Sequence, residues 1–377
     1  MRNKIFYIAR FNPSVFNDVS DTNINYSVIR KVSGTCSALT MNDNLCYILR
    51  TSTCKGDLFK KTTFKKFGKF IVVTPKQVNL KIRYVSYIIN IVLTTFLFVK
   101  LVGRCRPKYL LFWDFLPDTC IPAVISGRLH KNITVVPDIE EFISADDLAP
   151  KIFKWFEKLM LRKQWSVILT AGMCLNNKVK FERKVVIKGY FAVSPQEEED
   201  CKKYIKYSQG RRKNETKIVV FTGRVDSMRG FDEFLRLAKM VDKDKFIFKA
   251  YGFGDREILD YYEKESVGFV ETLFHSDRHT MLLGIINSDF CFNYLSETSF
   301  VNGSFPSKLV EYHCLGGSIV SNHAVNDDEI KPFVFRNLNE LSSFITSYDQ
   351  YEHRKNPEMR LLSFSIVTAA NKLKVLN

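Results

Sequence analysis

The sequence has no Cys-x-x-Cys pair, although it holds nine cysteines. Their number is odd, and most lie in apolar runs, so buried reduced thiols inside a cell are expected and a zinc site is not. Histidine is scarce, at six residues; His275, His279 and His313 read as structural. The start of the chain, Met1-Arg-Asn-Lys-Ile-Phe-Tyr, lacks the long apolar core and small-residue cleavage site of a secretory signal, and reads as a first strand. No internal repeat and no nucleic-acid module motif occurs.

What is present is an ordinary globular composition, with 46% hydrophobic and 25% charged residues over 377 positions. That length suggests two domains. It excludes a small disulfide-stapled module, a collagenous chain and a disordered tail protein. The net charge of +16 is less ordinary. Residues 1–195 carry 31 Lys and Arg against 13 Asp and Glu, a net +18, whereas residues 196–377 carry 25 against 27, a net −2. Such an asymmetry points to two domains with different partners, the basic one facing something anionic.

Short apolar runs alternate with helical stretches along the whole chain, which is the pattern of parallel sheets. Strands are expected near 4–9, 45–49, 70–73, 109–113, 132–136, 166–169 and 184–187. A second set is expected near 217–221, 245–250, 267–270, 289–293 and 317–321. Among the expected helices are 80–102, 305–315 and 357–375. The charge-dense stretch 194–216 reads as the linker. Two segments invite comparison with membrane-binding elements. Tyr84–Val102 holds only one charge, Lys100, in nineteen residues; it fits a helix buried against the sheet, one lying on a membrane, or a span of minimal length. Lys55–Phe70 alternates six lysines with four phenylalanines, fitting either a solvated loop or a lipid contact.

The chemistry concentrates in the second half. After the strand ending at Phe221 comes TGRVDSMRGFDEF, from Thr222 to Phe234, a Gly turn followed by a helix start. Such a turn presents N–H groups and a helix dipole to an anion. Arg224 and Arg229 lie across it, where guanidinium forks suit a diphosphate. The next strand ends in Gly252-Phe-Gly254, at the edge where open α/β sheets bind ligands. Then NGSFPSKLVEYHCLGGSIVS, Asn302 to Ser321, places Pro306 in a first helical turn, Lys308 and Glu311 on one face, and Gly316-Gly317 at the end.

Together these pieces resemble the nucleotide-sugar domain of a GT-B glycosyltransferase, nearest to glycosyltransferase family 4. Gly223-Arg224…Arg229-Gly230, Gly252…Gly254 and FPSKLVEY (Phe305 to Tyr312) followed by Gly316 keep that family's order and spacing. FWDFLP (Phe112 to Pro117) and VVPDIEE (Val135 to Glu141) follow its first domain more loosely. The resemblance implies an α/β fold of two Rossmann-like, doubly wound parallel-sheet domains facing a central cleft. Residues 1–195 would bind the acceptor and 196–356 the donor, and 357–377 would cross back to the first domain. It implies a retaining transfer of sugar from a nucleotide-diphosphate sugar to a saccharide, lipid-linked at the inner face of the cell membrane, in O-antigen or capsule assembly. Arg224 and Arg229 would stabilise the leaving diphosphate, and Glu311 would hold the ribose. Ser307, Lys308, Gly303, Ser304, Gly252, Gly254 and Gly223 would line the donor, and Asp138 and Glu140 would orient the acceptor. No cofactor or metal is expected, since positive side chains supply the charge. No nucleic acid is expected as a partner. Three positions depart from the family. Arg229 replaces a lysine, Gly303 stands where a second glutamate is common, and Glu140 stands near a common histidine. A sugar-nucleotide epimerase and an inactive saccharide-binding homologue are the alternatives.

Overall fold

The computed structural model describes residues 3–10, 26–51, 59–67, 70–140, 150–171, 179–190, 195–209, 216–296, 307–325, 329–348 and 364–376. Gly303, Ser304 and Pro306 lie outside them, so the segment before Ser307 is known from sequence alone.

Two sheets organise the chain. The first has eight strands: β1 (Lys4–Ala9), β2 (Leu45–Arg50), β4 (Thr63–Phe67), β5 (Phe70–Thr74), β7 (Tyr109–Trp113), β8 (Thr134–Ile139), β9 (Gln164–Thr170) and β10 (Lys180–Val186). Their spatial order is 10-9-8-7-1-2-5-4. All neighbours run parallel except β4, which folds back antiparallel on β5 as an edge hairpin. A short pair, β3 (Phe59–Lys60) with β6 (Gln77–Val78), stands apart. The second sheet is wholly parallel, in the order 13-12-11-14-15-16. It comprises β11 (Lys217–Arg224), β12 (Phe246–Phe253), β13 (Val270–Thr272), β14 (Phe290–Asn293), β15 (Ser318–Ser321) and β16 (Phe333–Val334). In both sheets the order reverses beside the first strand, which opens a crevice at the strands' C-terminal ends.

The central strands are apolar on both faces, as parallel strands covered by helices on both sides must be. Ile5, Tyr7 and Ala9 of β1 join one core cluster, while Phe6 and Ile8 join the cluster on the opposite face. Helices α1 (Tyr26–Met41), α2 (Arg83–Cys105), α3 (Pro117–Leu129) and α4 (Lys151–Leu161) cover the first sheet. The helices of the second half are α5 (Pro195–Gln209), α6 (Phe231–Met240), α7 (Arg256–Ser266), α8 (Arg278–Ile286), α9 (Lys308–Leu315), α10 (Leu338–Ser347) and α11 (Ile366–Leu373). The last of these packs on the first sheet, with Ile366, Ala369, Ala370 and Leu373 in the same cluster as Ile5 and Tyr7. Asn42 ties it there by donating to the Ala370 carbonyl at 2.8 Å.

One expected segment is more regular than a bare linker. Most of the supposed linker 194–216 is helix α5. Glu197 and Glu198 in its first turn suit the helix dipole, and Lys202 pairs with Glu198 at 2.8 Å one turn on. Cys201 supplies a buried anchor. Much of the charge density that read as a linker is the solvated side of a helix, with Lys202 and Lys203 exposed, while Glu198 is buried.

Candidate active site

β11 lies at the centre of the second sheet, and its C-terminal end carries the Gly turn. Gly223 adopts φ +115°, with no neighbour within 4 Å of where a side chain would begin. Asp226 organises the following turn. Its Oδ1 accepts the Arg229 backbone N–H at 2.8 Å, and its Oδ2 pairs with Arg224 Nε at 3.1 Å. Arg224 Nη2 also reaches Asp255 Oδ2 at 3.4 Å. Arg224 is therefore held by two carboxylates, while the exposed Arg229 makes no ion pair among the described residues.

Lys308 opens α9, just after the exposed Ser307. Its Nζ stands 5.1 Å from the centre of the Phe221 ring. Burial, and then the neighbouring positive charge of Arg229, push its pKa down to about 7. Two cations thus crowd the end of β11, and an anion arriving there relieves both. Tyr312, fully buried in the same helix, accepts from the Thr222 N–H at 2.8 Å and locks α9 to the strand.

Glu311, three residues on in the same helix, is buried and takes its ion pairs from other elements. It belongs to a four-membered cluster. Arg278 Nη2 lies 2.9 Å and Arg30 Nε 3.7 Å from Glu311 Oε1. The same two arginines meet Glu197 Oε1, at 2.6 Å from Arg278 Nε and 3.0 Å from Arg30 Nη1. Arg30 comes from α1 of the first half, so the cluster spans the two sheets. None of Arg30, Glu197 or Arg278 stands out in the sequence, because each is a single charge on a helix.

At Gly252 a side chain would meet Val225 Cγ2 at 2.2 Å, so this glycine lets the residue after β11 pack close. At Gly254 the nearest atom is the Val225 carbonyl oxygen, at 3.3 Å.

In the first sheet, Asp138 and Glu140 emerge at the end of β8. Asp138 is wholly buried and accepts a hydrogen bond from the Tyr7 hydroxyl. Lys31 Nζ lies 3.6 Å from Asp138 and 2.9 Å from Glu140. Burial opposes the charge on Lys31, but the two carboxylates outweigh it and hold the ammonium above the usual lysine range. Asp138 is enclosed by protein; Glu140 is the member of the pair that reaches solvent. Its backbone N–H donates to Asp114 Oδ1 at 2.7 Å.

A second constellation at this edge has no counterpart among the expected residues. Asp118, in the first turn of α3, accepts from Arg10 at 3.1 and 3.2 Å, from Thr51 at 2.8 Å and from Tyr87 at 2.9 Å. Arg10 and Thr51 directly follow β1 and β2. The rule that ligands gather at strand C-terminal ends is the signal that identifies them.

Two parallel Rossmann-like sheets whose C-terminal edges carry these charged groups define the GT-B fold. Solved structures share it. A UDP-forming alpha,alpha-trehalose-phosphate synthase from Burkholderia xenovorans in complex with glucose-6-phosphate matches with a TM-score of 0.66 at 9% identity, covering 100% of both chains. The E. coli trehalose-6-phosphate structure bound with UDP-2-fluoro glucose matches at 0.61 and 11% identity, over 99% of this chain and 98% of that one. Anabaena Alr3699/HepE in complex with UDP and glucose matches at 0.56 and 12% identity, over 99% of each. No protein-family model matches the sequence, and no curated protein is similar to it in sequence.

Proposed function

We propose that this protein is a glycosyltransferase that moves a sugar from a nucleotide-diphosphate sugar to a saccharide acceptor. The observation that carries the reading is the placing of Lys308 over Phe221 of β11 and of Arg229 in the turn that follows the strand, beside the open space at Gly223. A diphosphate seated there neutralises both cations and meets the N-terminus of α9. Charge grows on that diphosphate as the sugar leaves, so preorganised positive groups stabilise the transition state more than the ground state. These side chains do the work for which other sites use a metal. Arg224, braced by Asp226 and Asp255, fixes the shape of the turn. Glu311 accepts the ribose hydroxyls, with Arg278 orienting it.

The acceptor lies against the first sheet. Glu140, carried by Lys31, is the group placed to orient its hydroxyl. Asp138 acts behind it by holding Lys31 and Tyr7. Transfer proceeds with retention of configuration, as in the family that the motifs resemble. The acceptor is a lipid-linked saccharide on the inner face of the cell membrane, in O-antigen or capsule assembly. The +18 charge of residues 1–195 and the glucose-6-phosphate and UDP ligands of the fold neighbours support a phosphorylated acceptor and a nucleotide donor.

A thermal-shift panel of UDP-, GDP- and TDP-sugars tests this. One donor should raise the melting temperature by mass action, and Lys308→Ala should abolish the rise. Silence across the full panel, with no transfer or hydrolysis of any donor, refutes the reading.

A further inference from the structure

The first half of helix α2 is inside out, before the inward row turns apolar at Phe98 and Val102. The residues it turns toward the protein begin with Ser86, Asn90 and Thr94, all buried and one turn apart. The polar groups of Ser86 and Asn90 hold the segment just before the helix. Asn90 receives the Val78 N–H at 2.7 Å and donates to its carbonyl at 2.9 Å, and Ser86 Oγ accepts the Leu80 N–H at 2.7 Å. The row turned outward is Tyr84, Ile88, Val92 and Phe96, exposed by 73%, 61%, 61% and 73%. A surface helix in water shows the reverse pattern. Among the described residues α2 is also the one helix long and apolar enough to cross a membrane, but its buried row ties it flat against the sheet.

Its neighbours extend the apolar surface. α2, α3 and α4 share one core cluster beneath them, and Tyr87 of α2 meets Phe153 of α4 with ring centres 5.7 Å apart. Ile125 and Leu129 of α3, and Ile152, Trp155 and Leu159 of α4, are exposed. The charges around them have one sign. The three helices carry seven Lys and Arg against two acids, and both acids, Asp118 and Glu157, are buried. The outward row of α2 runs on into exposed Lys100 and Arg104.

We infer that the α2–α3–α4 face seats on an anionic lipid bilayer, with α2 lying in the interface plane and its Tyr84–Phe96 row in the acyl boundary. Interfacial helices combine such an apolar row with flanking Lys and Arg, and Trp155 belongs to the residue type that anchors at headgroup level. A second copy of this chain fits poorly, because two-fold pairing would set one basic rim against the other. The inference rests on the membrane-bound reading above and specifies its surface. Its test involves no sugar transfer, so its failure and the failure of the glycosyltransferase reading are separable.

The full chain is mixed with vesicles of phosphatidylcholine alone or of phosphatidylcholine with phosphatidylglycerol. Sedimentation with the anionic vesicles, loss of binding in high salt and a blue shift of tryptophan emission are expected. Trp155→Phe should remove the shift, since Trp165 is buried and Trp113 packs against the core cluster on the sheet's other face. Val92→Glu should weaken binding by about tenfold or more while leaving circular dichroism and melting temperature intact, because Val92 is mostly exposed. Equal binding to both vesicle types, or unchanged binding by Val92→Glu, overturns the inference. So does a dimer in solution that Val92→Glu splits while no vesicle binds.

Discussion

Arg278 and Glu311 form an ion pair of 2.9 Å between neighbouring helices of the second sheet, and Arg30 of the first sheet's α1 closes on the same pair of glutamates. Two arginines and two glutamates alternate, so each charge has two opposite neighbours. Removing one leaves its partners crowded by like charge in a partly dry site. Arg30→Ala and Glu197→Ala should each lower stability by about 1–3 kcal/mol. The double variant should lose less than the sum, with a coupling of at least about 0.5 kcal/mol. Urea unfolding of the four proteins gives the cycle; strict additivity would show that the sheets are not linked here.

On the proposed function, Lys308 should make donor binding pH-dependent. Its pKa is lowered from the ordinary 10.5 to about 7 by burial and by Arg229. Between those values the unfolded chain binds a proton that the folded one does not, so this group makes stability rise with pH across that interval. A diphosphate reverses the balance by favouring the ammonium. Affinity for the donor nucleotide should therefore fall as pH rises above 7, with proton uptake on binding. Titration calorimetry in buffers of different ionisation heat measures that uptake, and Lys308→Met should eliminate it.

Gly252 separates packing from ligand contact. Gly252→Ala places a methyl 2.2 Å from Val225 Cγ2 and should cost about 1–3 kcal/mol. Val225→Ala in the same chain should restore much of that loss, and the double variant should bind the donor nucleotide with unchanged affinity. A donor defect that persists in the double variant would return Gly252 to the binding surface.

Lys31→Met should be among the most damaging single changes in the first sheet. It strips a wholly buried carboxylate, Asp138, of its cation, at a cost of about 3–5 kcal/mol. Adding Asp138→Asn should recover part of this, as read from melting temperatures of the three variants.

The strands were legible because parallel strands covered on both faces are unbroken apolar runs, as at Ile5–Ile8 and Ile218–Phe221. The donor-side turn was legible because Gly223, Arg229 and Lys308 lie in short local motifs. What the sequence hid is set by tertiary contact. Nothing local distinguishes Arg30 from any helical arginine; its meaning comes from Glu197 and Glu311, far along the chain. Asp138 read as a group that orients the acceptor, yet Tyr7 and Lys31 close over it. Helix α5 read as a linker because its single buried cysteine gives a weak apolar signal against so many charges. Helix α2 drew notice for its composition, but only the structure shows that Ser86, Asn90 and Thr94 face inward.

The packing of α11 on α1 has a consequence for synthesis. Ile366, Ala369, Ala370 and Leu373 complete the core around Ile5 and Tyr7, yet the ribosome makes them after the entire second sheet. The first sheet must wait, with an apolar surface open beside α1, while its partner is translated and folds. The chain then closes like a clasp fastened by its last link, and a ribosome stalled before Ile366 would leave an unfastened protein for chaperones to hold.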